Sequence, residues 1–297
     1  MKRAVRDIVW ILLLAAIALT GIHSLSHKMH TARNIDEANP LALITGAPQA
    51  VLCLHQPQTL QLMLPSMPAV QRLLHAYLPE STRYPLEQME EAPPITLVYY
   101  PQSELWMATL TEREAKQLWK RLDEGHHFAA EKQKELTLPV RYYPELGNRF
   151  LGCYYHQGLF VASYDRRLLR ETIKQHLQLR PTDGIATELQ TIVPATSATP
   201  LRLLLPSEKL FPASALHERK PTHAWLSLPF FFNEGNLCCS QAWPLPSHLP
   251  DSLLEKEWLL PLRDSLSLRL QPLLPGVETN LQATLEEQTA YFSLCIH

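Results

Sequence analysis

The segment ITLVYYPQSELWMATLTEREAKQLWKRL, from Ile95 to Leu122, decides the expected fold. Ile95 to Tyr100 is rich in β-branched and aromatic residues and reads as a strand. Pro101-Gln102-Ser103 is a turn, Leu105 to Leu110 a second strand, and Thr111 to Leu122 an amphipathic helix. Thr111 with Glu114 three positions on has the spacing of a capping box. The pattern returns further along the chain. Leu151 to Tyr155 is a strand, His156-Gln157-Gly158 a turn and Leu159 to Ser163 a strand. Asp165 then caps a helix to Leu177 with apolar positions at Leu168, Leu169, Ile173 and Leu177. A weaker third copy takes Leu201 to Leu205, then Ala224 to Phe232 and Leu237 to Trp243 around the hairpin turn Asn233-Glu234-Gly235-Asn236, with a helix over Ser252 to Leu260. Asn280 to Leu285 and Ala290 to Ile296, about a Glu286-Glu287-Gln288 turn, close the chain.

Repeated strand-strand-helix units predict an α+β fold, mostly antiparallel sheet with helices packed on one face. The globular part opens with the apolar strand Ala50 to Leu54. Helix-like spacing follows over Pro57 to Leu64 and Val70 to Leu78, broken at Pro65 and Pro68, before a proline-rich connector from Tyr84 to Pro94. A loose stretch rich in Thr, Ala and Pro suggests two halves, 45–180 and 201–297, joined by a linker at 181–200.

Ahead of this lies IVWILLLAAIALTGI, from Ile8 to Ile22, behind Lys2, Arg3 and Arg6. Basic residues before an apolar run keep the N-terminus in the cytoplasm and send the rest across. A span needs about 20 apolar residues, so the expectation is a short tail at 1–7, a transmembrane signal-anchor helix at 8–25 and a juxtamembrane tether at 26–44. The run also suits a cleavable signal peptide, with the small-x-small site Ser24-Leu25-Ser26 beyond it. The expected location is the inner membrane, single-pass, with the bulk of the chain periplasmic.

Composition excludes other classes. The 297 residues are 46% hydrophobic and 19% charged, enough apolar material for a buried core. Basic residues number 27 against 29 acidic, without the cationic excess that phosphate binding needs, so nucleic acid is not an expected partner. The 9 glycines and 25 prolines leave turns to Pro, Asn, Asp and Ser. The five cysteines, Cys53, Cys153, Cys238, Cys239 and Cys295, lie in apolar runs and read mainly as buried thiols. Cys238 and Cys239 are strand neighbours pointing to opposite faces, so they do not pair with each other. One disulfide elsewhere fits an oxidising compartment.

Candidate chemistry is sparse. His23, His27 and His30, at i, i+4 and i+7 on a helix, have the spacing of metal ligands, with Asp36 and Glu37 as acidic neighbours. A structural metal site needs four ligands, so a polar collar at the membrane interface is the preferred reading. His126-His127 follows Asp123-Glu124-Gly125 at a helix end, where a cation suits the dipole. His55, His75 and His156 have no acid or nucleophile at a recognisable spacing. G-x-S-x-G is absent; Ser163 stands at a strand-to-helix junction, but Asp165 beside it reads as the N-cap. Glu90-Glu91 and Glu286-Glu287 read as solvated turns. Tyr99-Tyr100, Tyr142-Tyr143, Tyr154-Tyr155 and Phe230-Phe231-Phe232 would place one member of each group in the core and expose another as a binding row. No catalytic, cofactor-binding or metal residue is assigned, and no cofactor is implied.

The repeated unit, with Ala224-Trp225-Leu226-Ser227-Leu228, Asn233 to Leu237 and the entry Ala47-Pro48-Gln49-Ala50-Val51-Leu52, resembles a group of membrane-anchored or exported bacterial envelope proteins of unknown function. The likeness spans residues 45–290; the scarcity of glycine and the Cys238-Cys239 pair depart from it. It implies an envelope location and adds no catalytic residue. The expected function is a non-enzymatic binding or scaffold module with an envelope protein as partner. The alternatives are a hydrolase with an unrecognised site and a carrier of an apolar ligand.

Overall fold

The computed structural model describes residues 38–55, 93–145, 147–178, 184–193, 199–207, 225–233, 236–244, 250, 252, 255–261, 263–264, 267–268, 279–286 and 289–296. Twelve strands form one antiparallel sheet: β1 (Ala50–Leu54), β2 (Ile95–Tyr99), β3 (Glu104–Thr109), β4 (Glu131–Glu135), β5 (Leu138–Glu145), β6 (Arg149–His156), β7 (Leu159–Ser163), β8 (Leu201–Pro206), β9 (Trp225–Asn233), β10 (Asn236–Pro244), β11 (Thr279–Glu286) and β12 (Thr289–Ile296). Their spatial order is β11-β12-β10-β9-β8-β1-β2-β3-β7-β6-β5-β4. Helices α1 (Glu112–Gly125), α2 (Arg166–His176) and α3 (Gly184–Ile192), a 3-10 turn at Pro40–Leu43 and a π turn at Glu255–Leu259 complete the described elements.

Both strand-strand-helix units form where the sequence places them. β2 and β3 pair with Leu97 opposite Trp106, and α1 opens on a reciprocal capping box between Thr111 and Glu114. β6 and β7 pair through a turn in which Gln157 and Gly158 both have positive φ. That is the primed geometry whose twist matches a hairpin. Asp165 accepts from the N–H groups of Arg167 and Leu168 and caps α2.

The expected α+β fold, with a transmembrane helix and helices on one face, needs correction. The described residues form mainly a twelve-stranded antiparallel sheet, with three α-helices. No helix among them is long and apolar enough to cross a membrane, and the segment 8–25 lies outside the described residues. The helices also cover both faces. Trp106, Ala108, Phe160 and Ala162 point to one side and meet Ala115, Leu118 and Leu122 of α1. Leu105, Met107 and Val161 point to the other and meet Leu169 and Ile173 of α2 and Leu189 of α3. The physical reason is visible in the strands themselves. β1, β7 and β8 are buried at every position, so each face there has apolar side chains to cover.

β1 lies between β2 and β8, with Leu52 opposite both Leu97 and Leu203, so strands from 45–180 and 201–297 share one sheet. Helix α3 falls within 181–200. The β4–β5 hairpin has no counterpart in the sequence reading; Glu131–Glu135 is EKQKE, and pairing with β5 makes it a strand. The helix expected at Ser252 to Leu260 is represented by the π turn, whose Leu259 joins the α1-side core.

β9 changes partner along its length. Trp225 to Phe230 pair with β8, and Phe231 to Asn233 pair with β10. Pro229 falls in the part that β10 does not pair, where a missing N–H costs little.

Gly152 on β6 is closely approached by neighbouring side chains. A Cβ there would lie 2.7 Å from Leu169 Cδ2 and 2.8 Å from Tyr142 Cε1. Gly152→Ala is expected to lower stability by about 1–3 kcal/mol through overpacking, read as a lower urea midpoint at unchanged slope.

Candidate functional site

Among the described residues, a polar cluster lies where the C-terminus of α1 meets β5 and β6. The His126 backbone N–H donates to the Leu122 carbonyl at 3.2 Å, and its ring Nδ1 lies 2.8 Å from the same oxygen. A carbonyl only accepts, so Nδ1 carries the proton. His126 Nε2 then faces Glu145 Oε1 at 3.5 Å, buried and with no hydrogen-bond partner. The ring stacks on Tyr143 at 4.5 Å between centroids. Tyr143 donates to Asp123 Oδ1 at 2.7 Å, and Arg141 Nη1 to Asp123 Oδ2 at 2.8 Å. Tyr164 donates to Glu145 Oε1 at 2.8 Å, beneath the Arg149 guanidinium. Burial, then the bond to Asp123, pushes the Tyr143 hydroxyl far up and keeps it protonated.

His126 thus has a structural bond at one nitrogen and a carboxylate facing the other. The cluster supplies no activated nucleophile beside it: the Cys153 thiol is buried and pushed well up, chiefly by desolvation. Ser163 is committed as well. It donates to the Glu104 carbonyl at 2.6 Å and accepts from the Asp165 N–H at 3.1 Å, bonds that shape the entry to α2.

A second cluster occupies the opposite face. The Tyr154 hydroxyl is 3.3 Å from His176 Nδ1, and the His176 ring meets His156 edge-on at 4.8 Å. Burial, with the neighbouring His156, pushes His176 down to about 4, and burial also lowers His156. Both imidazoles are therefore neutral, but among the described residues no three His, Cys, Asp or Glu side chains converge as a metal site.

Of the residues singled out in the sequence, His23, His27, His30, Asp36, Glu37, His75, Glu90, Glu91 and Glu287 lie outside the described residues. His55 is in place at the end of β1, lowered by burial and by Arg202. Asp123, His126 and Tyr143 enter the first cluster. Arg141 and Glu145 join Tyr143 from β5, and Tyr164 comes from just past the end of β7. The aromatic groups divide: Phe230 is buried and Phe231 is 48% exposed, as expected, whereas Tyr142 and Tyr143 are both buried because both faces of the sheet are covered there.

Cys238 and Cys295 sit opposite each other on β10 and β12 and form a disulfide. Cys53, Cys153 and Cys239 are free and buried, and desolvation pushes Cys53 and Cys239 up to about 12.

The class of protein so defined is a wide antiparallel sheet covered by helices on both faces. The sequence matches no known family, and no curated protein matches it. Solved structures to which it is similar include two crystal forms of TP0453. Crystal form I of TP0453 is 9% identical with a TM-score of 0.46, over 86% of this chain and 91% of that one. Crystal form IV of TP0453 is 9% identical with a TM-score of 0.44, over 86% and 93%. Similarity at this level carries no argument about function.

The neutral histidines set a pH dependence. An unfolded His176 takes up a proton below its ordinary value of 6.5, whereas the folded one does so only near 4. Stability is therefore retained above 6.5 and lost as pH falls toward 4. At pH 5 the loss from this group is about 2 kcal/mol, and His176→Asn is expected to flatten the urea-unfolding free energy between pH 7.5 and 5 by that amount.

Proposed function

We propose that the chain works outside the cytoplasm as a non-enzymatic binding or scaffold module of the cell envelope. The observation that carries this is the Cys238–Cys295 disulfide, which joins facing residues of adjacent strands. Such bonds persist in oxidising compartments and are rare where glutathione and thioredoxin keep thiols reduced. The way the polar side chains are employed supports the non-enzymatic part. Asp123 binds Arg141 and Tyr143, Ser163 shapes a helix entry and Asp165 caps that helix.

The location is tested by acid-trapping the protein from cells and alkylating its thiols under denaturing conditions. Three modified cysteines before reduction and five after are the expected result; five before reduction would overturn the location. The binding role is tested by crosslinking the full chain in cells. A reproducible envelope partner is expected, whereas substrate turnover abolished by His126→Gln or Glu145→Gln would replace this role with a catalytic one.

A further inference from the structure

The two edges of the sheet differ. Among the described residues, β4 ends one side and β11 the other. A sheet edge presents unpaired N–H and C=O groups, and a protein that stays monomeric blunts it with charge, proline or shortness. β4 is blunted in this way: it is five residues long and reads EKQKE. Glu135 is also held by Arg166 Nε at 3.0 Å, tying that edge to α2. β11 has eight residues, TNLQATLE, without lysine, arginine or proline and with Glu286 as its one charge.

We infer that β11 is an interaction surface for a second copy of this chain, and that two β11 strands pair antiparallel about a two-fold axis through Ala283. A two-fold normal to the sheet keeps each face on its own side, so a residue must oppose one of the same parity. Centred on Ala283, Leu281 meets the partner's Leu285, Gln282 meets Thr284 and Asn280 meets Glu286. Leu281, Ala283 and Leu285 are half-buried against the α1-side core, so the two apolar faces become continuous. Asn280, Gln282, Thr284 and Glu286 are exposed on the other face. No like charges oppose each other in this register, and every residue from Asn280 to Glu286 finds a partner.

The same operation on β4 fails. Centred on Gln133, it sets Glu131 against Glu135 and Lys132 against Lys134, and like charges directly opposite are destabilising. Edge pairing is therefore directed to one side. It closes at a dimer, whereas β11 of one copy on β4 of the next would grow without limit. This inference does not depend on where the protein works or on its being non-enzymatic.

Sedimentation velocity on the full chain over a range of concentrations tests it, with hydrogen exchange across 279–286 as a local readout. A reversible monomer–dimer equilibrium is expected, with exchange in β11 slowing as the dimer fills. Asn280 and Glu286 are exposed, so substitutions there spare the core. Asn280→Glu sets two Glu–Glu pairs across the axis and is expected to weaken dimerisation by roughly two- to thirtyfold. Asn280→Lys should strengthen it, and Asn280→Glu combined with Glu286→Lys should restore it. A monomer at every concentration, a series growing past dimer, or a dimer indifferent to all three variants would overturn the proposal. So would a monomer whose β11 amides become protected only when an unrelated strand-forming peptide is added.

Discussion

Strand β1 runs between β2 and β8 with five consecutive buried residues, so neither face of the sheet there touches water. Its neighbours come from distant parts of the chain: β2 begins at Ile95 and β8 at Leu201. Without β1, the strands from β2 to β7 and those from β8 to β12 would be separate ribbons. Closing such long connections costs conformational entropy that grows only slowly with length. Burial of Leu52 and Leu54 on one face and Val51 and Cys53 on the other offsets it.

Double-sided burial dictates where the helices go. α1 follows β3 and folds onto the face of Trp106 and Phe160; α2 follows β7 and folds onto the face of Met107 and Val161. Two units of the same sequence pattern thereby end on opposite sides. Cover thins past β9, where Phe231, Ser240 and Tyr291 are exposed and Cys238 and Cys295 are half-buried. The disulfide joins β10 and β12 in that less covered region.

The polar clusters follow from the same layering. Tyr143 and Arg141 lie on the α1 face, so their polar ends reach Asp123 at the helix terminus. Tyr154 lies on the α2 face and meets His176. Each network supplies hydrogen bonds where long side chains emerge from the apolar layer, which is what a buried hydroxyl requires. His126 is the exception, with a structural bond at Nδ1 and the Glu145 carboxylate facing Nε2 at 3.5 Å.

The sequence alone determined what depends on near neighbours: the capping box of Thr111 and Glu114, the Asp165 cap, the Gln157-Gly158 turn and the apolar strands they bound. These are contacts within three or four residues, so composition and spacing suffice. Tertiary structure decided which face each helix covers, because a strand apolar at every position serves either side equally. It decided that EKQKE becomes strand β4, through pairing with β5 against a weak intrinsic preference. It decided that Cys238 meets Cys295, since pairing among five cysteines depends on sheet register. The assembly of His126, Tyr143, Glu145 and Tyr164 belongs there too, because their common ground is a place in space and no spacing along the chain encodes it.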